Sequence, residues 1–501
     1  MPLRLRNIKS RLRGIWQETN QTGQQVARGS FLMLFSRLII KLLQFVRIII
    51  LARLLFPEDF GLFGLATLAM SFTEVFFHLG FSQAFVHRKD NEENYLNTIW
   101  TFNVIRFTFL SLILYFVIAP LSGSFFGSQE MVILAKFLSL SLFITGLENI
   151  SILLMKKKME FNRFFNYSVI NTFLEIGLVI ILAFYLRNVW ALAIGLVGRS
   201  FISTTMSYMI HEYRPRFSFD WQAARELFKF GKWIGLASII SFLAKQGDYL
   251  IVGKLLDPHS LGLYQVAFAL GTLVTTEVSK VLESLLFPLF SKIRHDSEYL
   301  KRAFTKLFRM IFSIIIPASF GLYILAEEVI TFFYGEKWLE MVPIIGIVIL
   351  VSLLLSFKSI VTPLFLGKGD PKISTITQIL HIVILFSLSF PLAEKWGVVG
   401  VAWAYLIGLL ASQLVLFFKL RKEINLGLRG FSAIISLPLV GSLIMSLGLY
   451  LLKDFWMIDS LTILLAYIAI GISLYFVSVY LLDRVFGRKY YESLIWIKKN
   501  I

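Results

Sequence analysis

The 501-residue sequence contains no cysteine and few charged residues. The absence of cysteine excludes structural disulfides, thiolate metal sites and cysteine nucleophiles. Only 16% of the residues are charged, and no polar segment is long enough to form an active-site domain. The sequence also lacks a Walker-type phosphate loop and the common hydrolase and metalloprotease motifs. We therefore expect a protein that is not an enzyme, is not driven directly by ATP, and holds no metal or cofactor.

Apolar residues dominate the chain instead. They make up 57% of it, with 49 phenylalanines and a mean hydropathy of +0.74, which is far above the range of soluble proteins. Apolar runs of about 20 residues, the length that crosses a bilayer as a helix, can be placed about 14 times. Very short turns at Arg187-Asn188 and at Glu394 to Gly397 separate two pairs of these runs. The sequence predicts an all-α polytopic membrane protein with about 14 transmembrane helices.

The net charge of +18 does not indicate a nucleic-acid partner. Lysine and arginine are spread over alternate short loops, whereas a nucleic-acid-binding protein gathers them on one face or tail. The connection from Ala119 to Glu130 has no cation, while the one from Arg214 to Lys232 is rich in them. Because cations concentrate in cytoplasmic loops, we expect both termini to be cytoplasmic.

One segment occurs twice at a constant spacing. The stretch from Arg53 to Phe63 matches the stretch from Lys254 to Tyr264, with Leu-Leu, Pro, Gly-Leu and an aromatic residue aligned. Duplicated halves of this kind are typical of secondary transporters, so we expect two pseudo-symmetric lobes of about six helices each. The expected organisation is a basic cytoplasmic segment (1–29), a first lobe (30–210), a cytoplasmic linker (211–232), a second lobe (233–419), two peripheral C-terminal helices (420–483) and a cytoplasmic tail (484–501).

Charged residues inside the predicted spans indicate where function lies, because burying them in lipid is costly. The first span carries Arg37, Lys41 and Arg47 but no carboxylate, which predicts a wet cavity or an anionic ligand beside it. Counting from the hairpin turns places Lys41, Glu74 and Arg106 at similar depths, so these groups should meet near the midplane.

Other charges have close candidates for pairing. Glu175 and Arg199 are nearly equidistant from the turn at Arg187-Asn188, and Glu277 lies one helical turn from Lys280. Both pairs are predicted structural ion pairs. Three residues could instead couple transport to an ion or serve only as hydrogen-bonded helix contacts. These candidates are Glu74, His78 and Asp248.

The turn motifs resemble those of the polysaccharide transporter family, which includes the Wzx-type flippases. The resemblance rests on the repeated Leu-Leu-x-Pro-x-x-x-Gly-Leu turn and on the turn from Trp396 to Trp403. Exporters of the colanic-acid or teichuronic-acid type look most similar, judged by Pro57 to Gly61 and by Phe228 to Tyr249. The same superfamily holds multidrug and toxin extruders and the MurJ lipid II flippases.

This resemblance implies a flippase for undecaprenyl-pyrophosphate-linked oligosaccharides in a bacterial cytoplasmic (inner) membrane, working by alternating access of two lobes. It implies a lipid-linked substrate and membrane lipids as partners, with a polysaccharide polymerase and a chain-length regulator as further expected partners. Family members are described with a cationic central cavity. The residues that would supply it here are Arg37, Lys41, Arg47, Arg106, Arg199 and Lys245.

Two alternatives share the expected fold. A MurJ-like lipid II flippase would also suit a basic groove, whereas a cation-coupled multidrug extruder should have a cavity dominated by carboxylates. A membrane glycosyltransferase or polymerase would need larger loops with catalytic carboxylates than this chain has.

Overall fold

The computed structural model describes residues 36–37, 39–76, 92–152, 155, 160–218 and 221–485. Within these ranges the secondary structure is helical and contains no strand. The first described helix covers 39–54. The long helices that follow are Pro57–Phe76, Glu92–Ile113, Gln129–Gly146, Phe161–Leu186, Val189–Met209, Trp221–Leu255, Pro258–Gly271, Leu273–Ile293, Ser297–Ile324, Val342–Gly367, Lys372–Ile424, Leu428–Phe455 and Leu461–Val485.

Eight helices in the described ranges are long and apolar enough to cross a membrane. The number is nine if Pro258–Gly271 and Leu273–Ser279, which meet at an angle of 55°, form one span. The prediction of an all-helical, multi-pass membrane protein is confirmed. The higher count of about 14 and the arrangement in two lobes stay predictions.

Both very short turns predicted from the sequence are present. The helix Phe161–Leu186 ends at Arg187 in the left-handed conformation, and the side chain of Asn188 caps the next helix by accepting from the Trp190 N–H at 3.1 Å. The range Lys372–Ile424 is interrupted at Gly397, whose φ of 55° and ψ of −134° are not helical. A positive φ favours glycine because other residues meet a steric clash there.

The two parts of Lys372–Ile424 fold back on each other. A Cβ atom at Gly400 would lie 1.9 Å from the carbonyl oxygen of Leu392, so the chain returns along itself at close range directly after the turn. Further along, the ring of His381 packs edge-on against Tyr405 with centroids 4.7 Å apart. The segments 372–396 and 398–424 are therefore an antiparallel helical hairpin.

The described residues form two compact units. The first contains the residues up to Leu55 together with Ala69–Leu236, and the second contains Phe56–Leu68 together with the residues from Ala237 onward. The sequence-based division placed the boundary in the linker 211–232 and assigned 56–68 to the first lobe.

In the second unit, the two copies of the repeated turn contact each other. A Cβ at Gly61 would lie 1.7 Å from the carbonyl oxygen of Pro258, and a Cβ at Gly262 would lie 1.8 Å from that of Pro57. Each glycine therefore allows the backbone of the other copy to approach. The repeat thus has a reciprocal structural role that its sequence alone does not reveal.

Aromatic packing supports the helices of the second unit. Phe304, Phe308 and Phe312 follow one face of Ser297–Ile324, and the rings of Phe308 and Phe312 stack with centroids 4.1 Å apart. These side chains are buried in a core that also contains residues of Val342–Gly367 and of the segment 398–424. Burial of this apolar area fixes the helices that carry the unit's polar residues.

Candidate functional site

A cluster of three charged side chains lies among the helices of the first unit. Arg47 Nη1 lies 2.9 Å from Glu175 Oε1, and Arg199 Nε lies 3.3 Å from Glu175 Oε2. The side chain of Glu175 is 11% exposed, compared with 33% for Arg47 and 53% for Arg199. One carboxylate thus holds two guanidinium groups, and the cluster carries a net positive charge with Arg199 as its most accessible member.

The turn at Arg187-Asn188 accounts for the contact between Glu175 and Arg199. Glu175 and Arg199 lie at nearly the same separation from it on two antiparallel helices, so their side chains face each other. The structure places Arg199 Nε 3.3 Å from Glu175 Oε2. Arg47 of the first span also contacts this carboxylate, because Glu175 reaches it from a helix 128 residues away in sequence.

A hydrogen-bonded polar network surrounds Ser203, which lies one turn beyond Arg199 on the helix Val189–Met209. Tyr167 and Ser203 each donate a hydroxyl hydrogen bond to Glu148 Oε1, at 2.9 and 2.8 Å. Sequence reasoning missed Glu148 and Tyr167, because Glu148 lies in a turn just after Gln129–Gly146 and was not counted among charges inside spans. Through Ser203, the network ties the helix that carries Arg199 to Glu148 and to Tyr167.

The structure also places Glu74 near Arg106. The two side chains lie within electrostatic range of each other, and the guanidinium of Arg106 lies 4.5 Å from the ring centroid of Phe107. Lys41 is half-buried on the helix 39–54, whereas Arg37, which precedes this range, is exposed. His78 lies outside the described residues.

In the second unit, Asp248 is a buried carboxylate in aromatic surroundings. It is 1% exposed and accepts a hydrogen bond from the hydroxyl of Tyr264 at 3.1 Å. Tyr249 packs edge-on against Tyr264, and Phe268 packs edge-on against Tyr405. Asp248 is the position that the repeat aligns with Arg47, so equivalent positions carry opposite charges.

Three sequence candidates of the second unit remain, and the side chain of one of them lies outside the described residues. Lys245 is exposed. Glu277 lies on Leu273–Ile293, while the side chain of Lys280 is outside the described residues, so their pairing stays a prediction. Among the described histidines and carboxylates, no group of three is arranged to hold a metal ion.

Buried hydroxyl groups were a further omission of the sequence reasoning. Thr275 lies 2.5 Å from Ser352 and 3.1 Å from Ser356, each distance joining hydroxyl oxygens. Such residues are hard to single out in spans rich in leucine and isoleucine. Single serines are common in membrane helices, where their hydroxyl groups donate hydrogen bonds to backbone carbonyls. This cluster joins Leu273–Ile293 to Val342–Gly367.

Comparisons with known proteins agree with this architecture. The profile of the family Polysacc_synt_3, described as polysaccharide biosynthesis protein, matches residues 50–343. The teichuronic acid biosynthesis protein TuaB of Bacillus subtilis is 23% identical over 83% of this chain and 86% of its own length. The lipopolysaccharide biosynthesis protein WzxC of Escherichia coli is 24% identical over 76% of this chain and 77% of its own length. The succinoglycan biosynthesis transport protein ExoT of Rhizobium meliloti is 24% identical over 89% of this chain and 91% of its own length.

Solved structures show the fold. The lipid II flippase MurJ in an inward closed conformation superposes with a TM-score of 0.69 at 20% identity, covering 91% of this chain and 99% of MurJ. A multidrug resistance MATE family transporter in an inward-facing conformation superposes with a TM-score of 0.59 at 17% identity, covering 77% of this chain and 94% of the transporter. With the family profile matching more than half of its length, the chain belongs to the polysaccharide biosynthesis protein family, and its fold is the one shared by MurJ and the MATE transporters.

Proposed function

We propose that the protein is a flippase that moves undecaprenyl-pyrophosphate-linked oligosaccharide units, the precursors of a surface polysaccharide, across the bacterial cytoplasmic membrane. The observation that carries this proposal is the net positive cluster of Arg47, Glu175 and Arg199 inside an apolar helical protein. The names of the relatives, which specify teichuronic acid, lipopolysaccharide and succinoglycan biosynthesis, support the substrate class.

The geometry of the cluster suits a pyrophosphate. Glu175 contacts Arg199 through Nε, so the two terminal nitrogens of this half-exposed guanidinium are left to bind phosphate oxygens. Arginine binds phosphate in two-point contacts that lysine cannot form. The pyrophosphate and glycan cannot cross hydrocarbon unaided, whereas the lipid chain can stay in the bilayer. The further members of the proposed cationic cavity are Arg37, Lys41, Arg106 and Lys245.

Transport in this proposal occurs by alternating access. About 14 transmembrane helices form two lobes of about six each and two peripheral C-terminal helices, with both termini in the cytoplasm. Rocking of the lobes exposes the cationic cluster to each side of the membrane in turn. The reciprocal contact of Gly61 with Pro258 and of Gly262 with Pro57 supports a gate at the repeated turns, since it holds two backbones in van der Waals contact there.

Asp248 is the proposed coupling residue. It is a buried carboxylate whose side-chain hydrogen bond comes from Tyr264, and no cation of the described residues forms an ion pair with it. A carboxylate in this setting can exchange a proton or bind a monovalent cation during the cycle. Glu74 and His78 are the other proposed coupling groups. No covalent step is part of the proposed cycle, so we propose a transporter and not an enzyme.

A MurJ-like lipid II flippase is the second candidate, and the superposition on MurJ over 91% of the chain favours it. Both candidates carry a pyrophosphate across the membrane, so the same cationic cluster would serve either substrate. A multidrug extruder of the same fold is the third candidate, and the net positive cluster disfavours it because cationic drugs would be repelled there.

Deletion of the gene in its own host, followed by mass spectrometry of the lipid-linked sugars, tests the proposal. We expect an undecaprenyl-pyrophosphate oligosaccharide to accumulate and the corresponding surface polysaccharide to disappear. Accumulation of lipid II would instead support the MurJ-like function. An unchanged lipid pool with new drug sensitivity would support the extruder and contradict both flippase functions.

A further inference from the structure

A second polar site lies in the first unit, away from the arginine cluster. A cavity of about 510 Å³ opens between the helix that contains Glu92–Ile113 and the helix Gln129–Gly146. It is lined by one cation, by hydroxyl side chains and by aromatic rings. The polar lining residues are Thr108, Ser111, Tyr115, Lys136 and Ser139.

Lys136 is the only charged residue that lines this cavity among the described residues. No described carboxylate forms an ion pair with it, and its ammonium group lies 5.3 Å from the ring centroid of Tyr115. A lysine on a membrane helix needs a counter-charge or water because burial of its charge in hydrocarbon is costly. Within the described part of the chain, the protein itself does not provide that counter-charge, which points to an anionic ligand.

The helix wall opposite Lys136 is irregular. A π-helical turn covers Leu114–Ile118 and includes Tyr115, whose side chain lines the cavity. Turns of this type insert an extra residue into a helix and are frequent at functional sites. The irregular turn therefore forms the part of the cavity wall that faces Lys136.

Two of the hydroxyl groups that line the cavity already donate hydrogen bonds within the protein. Ser111 donates to the carbonyl oxygen of Ser139 at 2.7 Å, and Ser139 donates to the carbonyl oxygen of Lys136 at 2.6 Å. The first bond joins the two helices, the second lies within Gln129–Gly146, and together they remove both hydroxyl hydrogens from ligand binding. The lysine ammonium is left as the charged donor, beside the hydroxyls of Thr108 and Tyr115, which suits a phosphate monoanion.

The depth of Lys136 identifies the kind of phosphate. Its Cα lies roughly 10 Å along the helix from Gln129, at about 1.5 Å per residue. Helical side chains lean toward the N-terminus, and long lysine side chains extend toward the membrane surface. A lysine at this distance from the helix end can reach the level of the lipid headgroups, whereas a translocating substrate would cross the midplane.

We propose that this cavity binds the phosphate of an anionic phospholipid, with Lys136 as the charged contact and Tyr115 beside it. The acyl chains would then lie along the exposed apolar side chains of Leu112 and Leu140. The site is separate from the proposed transport function, because none of the residues of the arginine cluster lines it.

Native mass spectrometry of the full-length purified protein tests this site. The protein would be extracted into detergent and titrated with phosphatidylglycerol or with phosphatidylcholine of the same chain length. We expect the wild type to retain at least one phosphatidylglycerol more tightly than phosphatidylcholine. Lys136→Gln should reduce that preference about tenfold, whereas Lys136→Arg should keep it. Lys395→Gln removes an exposed lysine elsewhere and should behave as the wild type.

A second variant keeps the test informative if Lys136→Gln folds poorly. Leu112 is half-exposed at the cavity, so Leu112→Trp fills the space without disturbing the core and should also remove the preference for phosphatidylglycerol. Equal retention of phosphatidylglycerol by wild type, Lys136→Gln and Leu112→Trp would overturn the proposal. A preference of the wild type for undecaprenyl phosphate over phosphatidylglycerol that is lost in Lys136→Gln would overturn it too, because the site would then belong to the substrate path.

Discussion

Arg199 and Glu175 belong to one cluster, yet their replacement should have different consequences. Replacing Arg199 by alanine leaves the pair of Arg47 and Glu175 neutral and intact at 2.9 Å. Arg199 is 53% exposed, so losing its contact with Glu175 should cost no more than about 1 kcal/mol, as is usual for exposed pairs. The folded protein should stay abundant while the cluster loses the guanidinium that the proposed function assigns to the pyrophosphate.

Replacing Glu175 by alanine removes the one carboxylate that both arginines share. Breaking a fully buried pair costs about 3–5 kcal/mol, and an exposed pair costs about 0–1. Because Arg47 is one-third exposed and Glu175 nearly buried, we expect an intermediate loss of about 2 kcal/mol. A loss of this size lowers the ratio of folded to unfolded protein by roughly thirtyfold. Glu175→Ala should therefore mainly lower abundance.

The assay is complementation of the deletion strain, with surface polysaccharide and membrane abundance measured in the same cells. Arg199→Ala should insert normally and restore less than about a tenth of the export, whereas Glu175→Ala should be depleted from the membrane. Arg302→Ala is the matched control, since Arg302 pairs with the exposed Glu298 on the surface at 3.2 Å. Full export by an abundant Arg199→Ala protein would refute the assignment of this cluster to the substrate.

Three further predictions concern the gate, the coupling residue and the helical hairpin. Gly61→Ala places a Cβ 1.7 Å from the Pro258 carbonyl oxygen, so the two turns must move apart and export per inserted protein molecule should fall, whereas the Cβ of Gly177→Ala meets no atom within 4 Å and export should be unchanged. Equal export per inserted molecule by both variants would argue against the gate. Asp248→Asn keeps an acceptor for the hydrogen bond from Tyr264 but loses the charge, so transport in proteoliposomes should become independent of an imposed ion gradient; unchanged gradient dependence would exclude Asp248 as the coupling group. Gly397→Ala should lower stability by about 1 kcal/mol because of the positive φ, seen as a lower unfolding temperature in detergent, and an unaltered temperature would show that the turn tolerates a side chain.

Local features of the fold could be read from the sequence. Apolar runs of about 20 residues predict membrane helices because length and hydropathy alone determine insertion. The turns at Arg187 and Gly397 were predictable because they interrupt such runs with polar or flexible residues. The meeting of Glu175 with Arg199 followed from the first of these turns, since a hairpin fixes the relative depth of its two helices.

Contacts between distant helices could not be read in this way. Arg47 meets Glu175 across 128 residues, and no periodicity within either helix encodes which helices become neighbours. The reciprocal approach of Gly61 and Gly262 also depends on which helices become neighbours, although the repeat that contains these glycines was recognisable in the sequence. Lys136 was overlooked because a single lysine in an apolar helix gives no pattern, and its significance came only with the π-helical turn opposite it.

The most direct test of the proposed flippase is a reconstituted translocation assay. Purified protein would be placed in liposomes with a fluorescent undecaprenyl-pyrophosphate oligosaccharide, and a membrane-impermeant quencher would report the fraction accessible from outside over time. The account predicts that wild type and Arg302→Ala speed exchange between leaflets well above protein-free liposomes, and that Arg199→Ala does so far less. Exchange by the wild type no faster than in protein-free liposomes, with the protein folded and inserted, would contradict it.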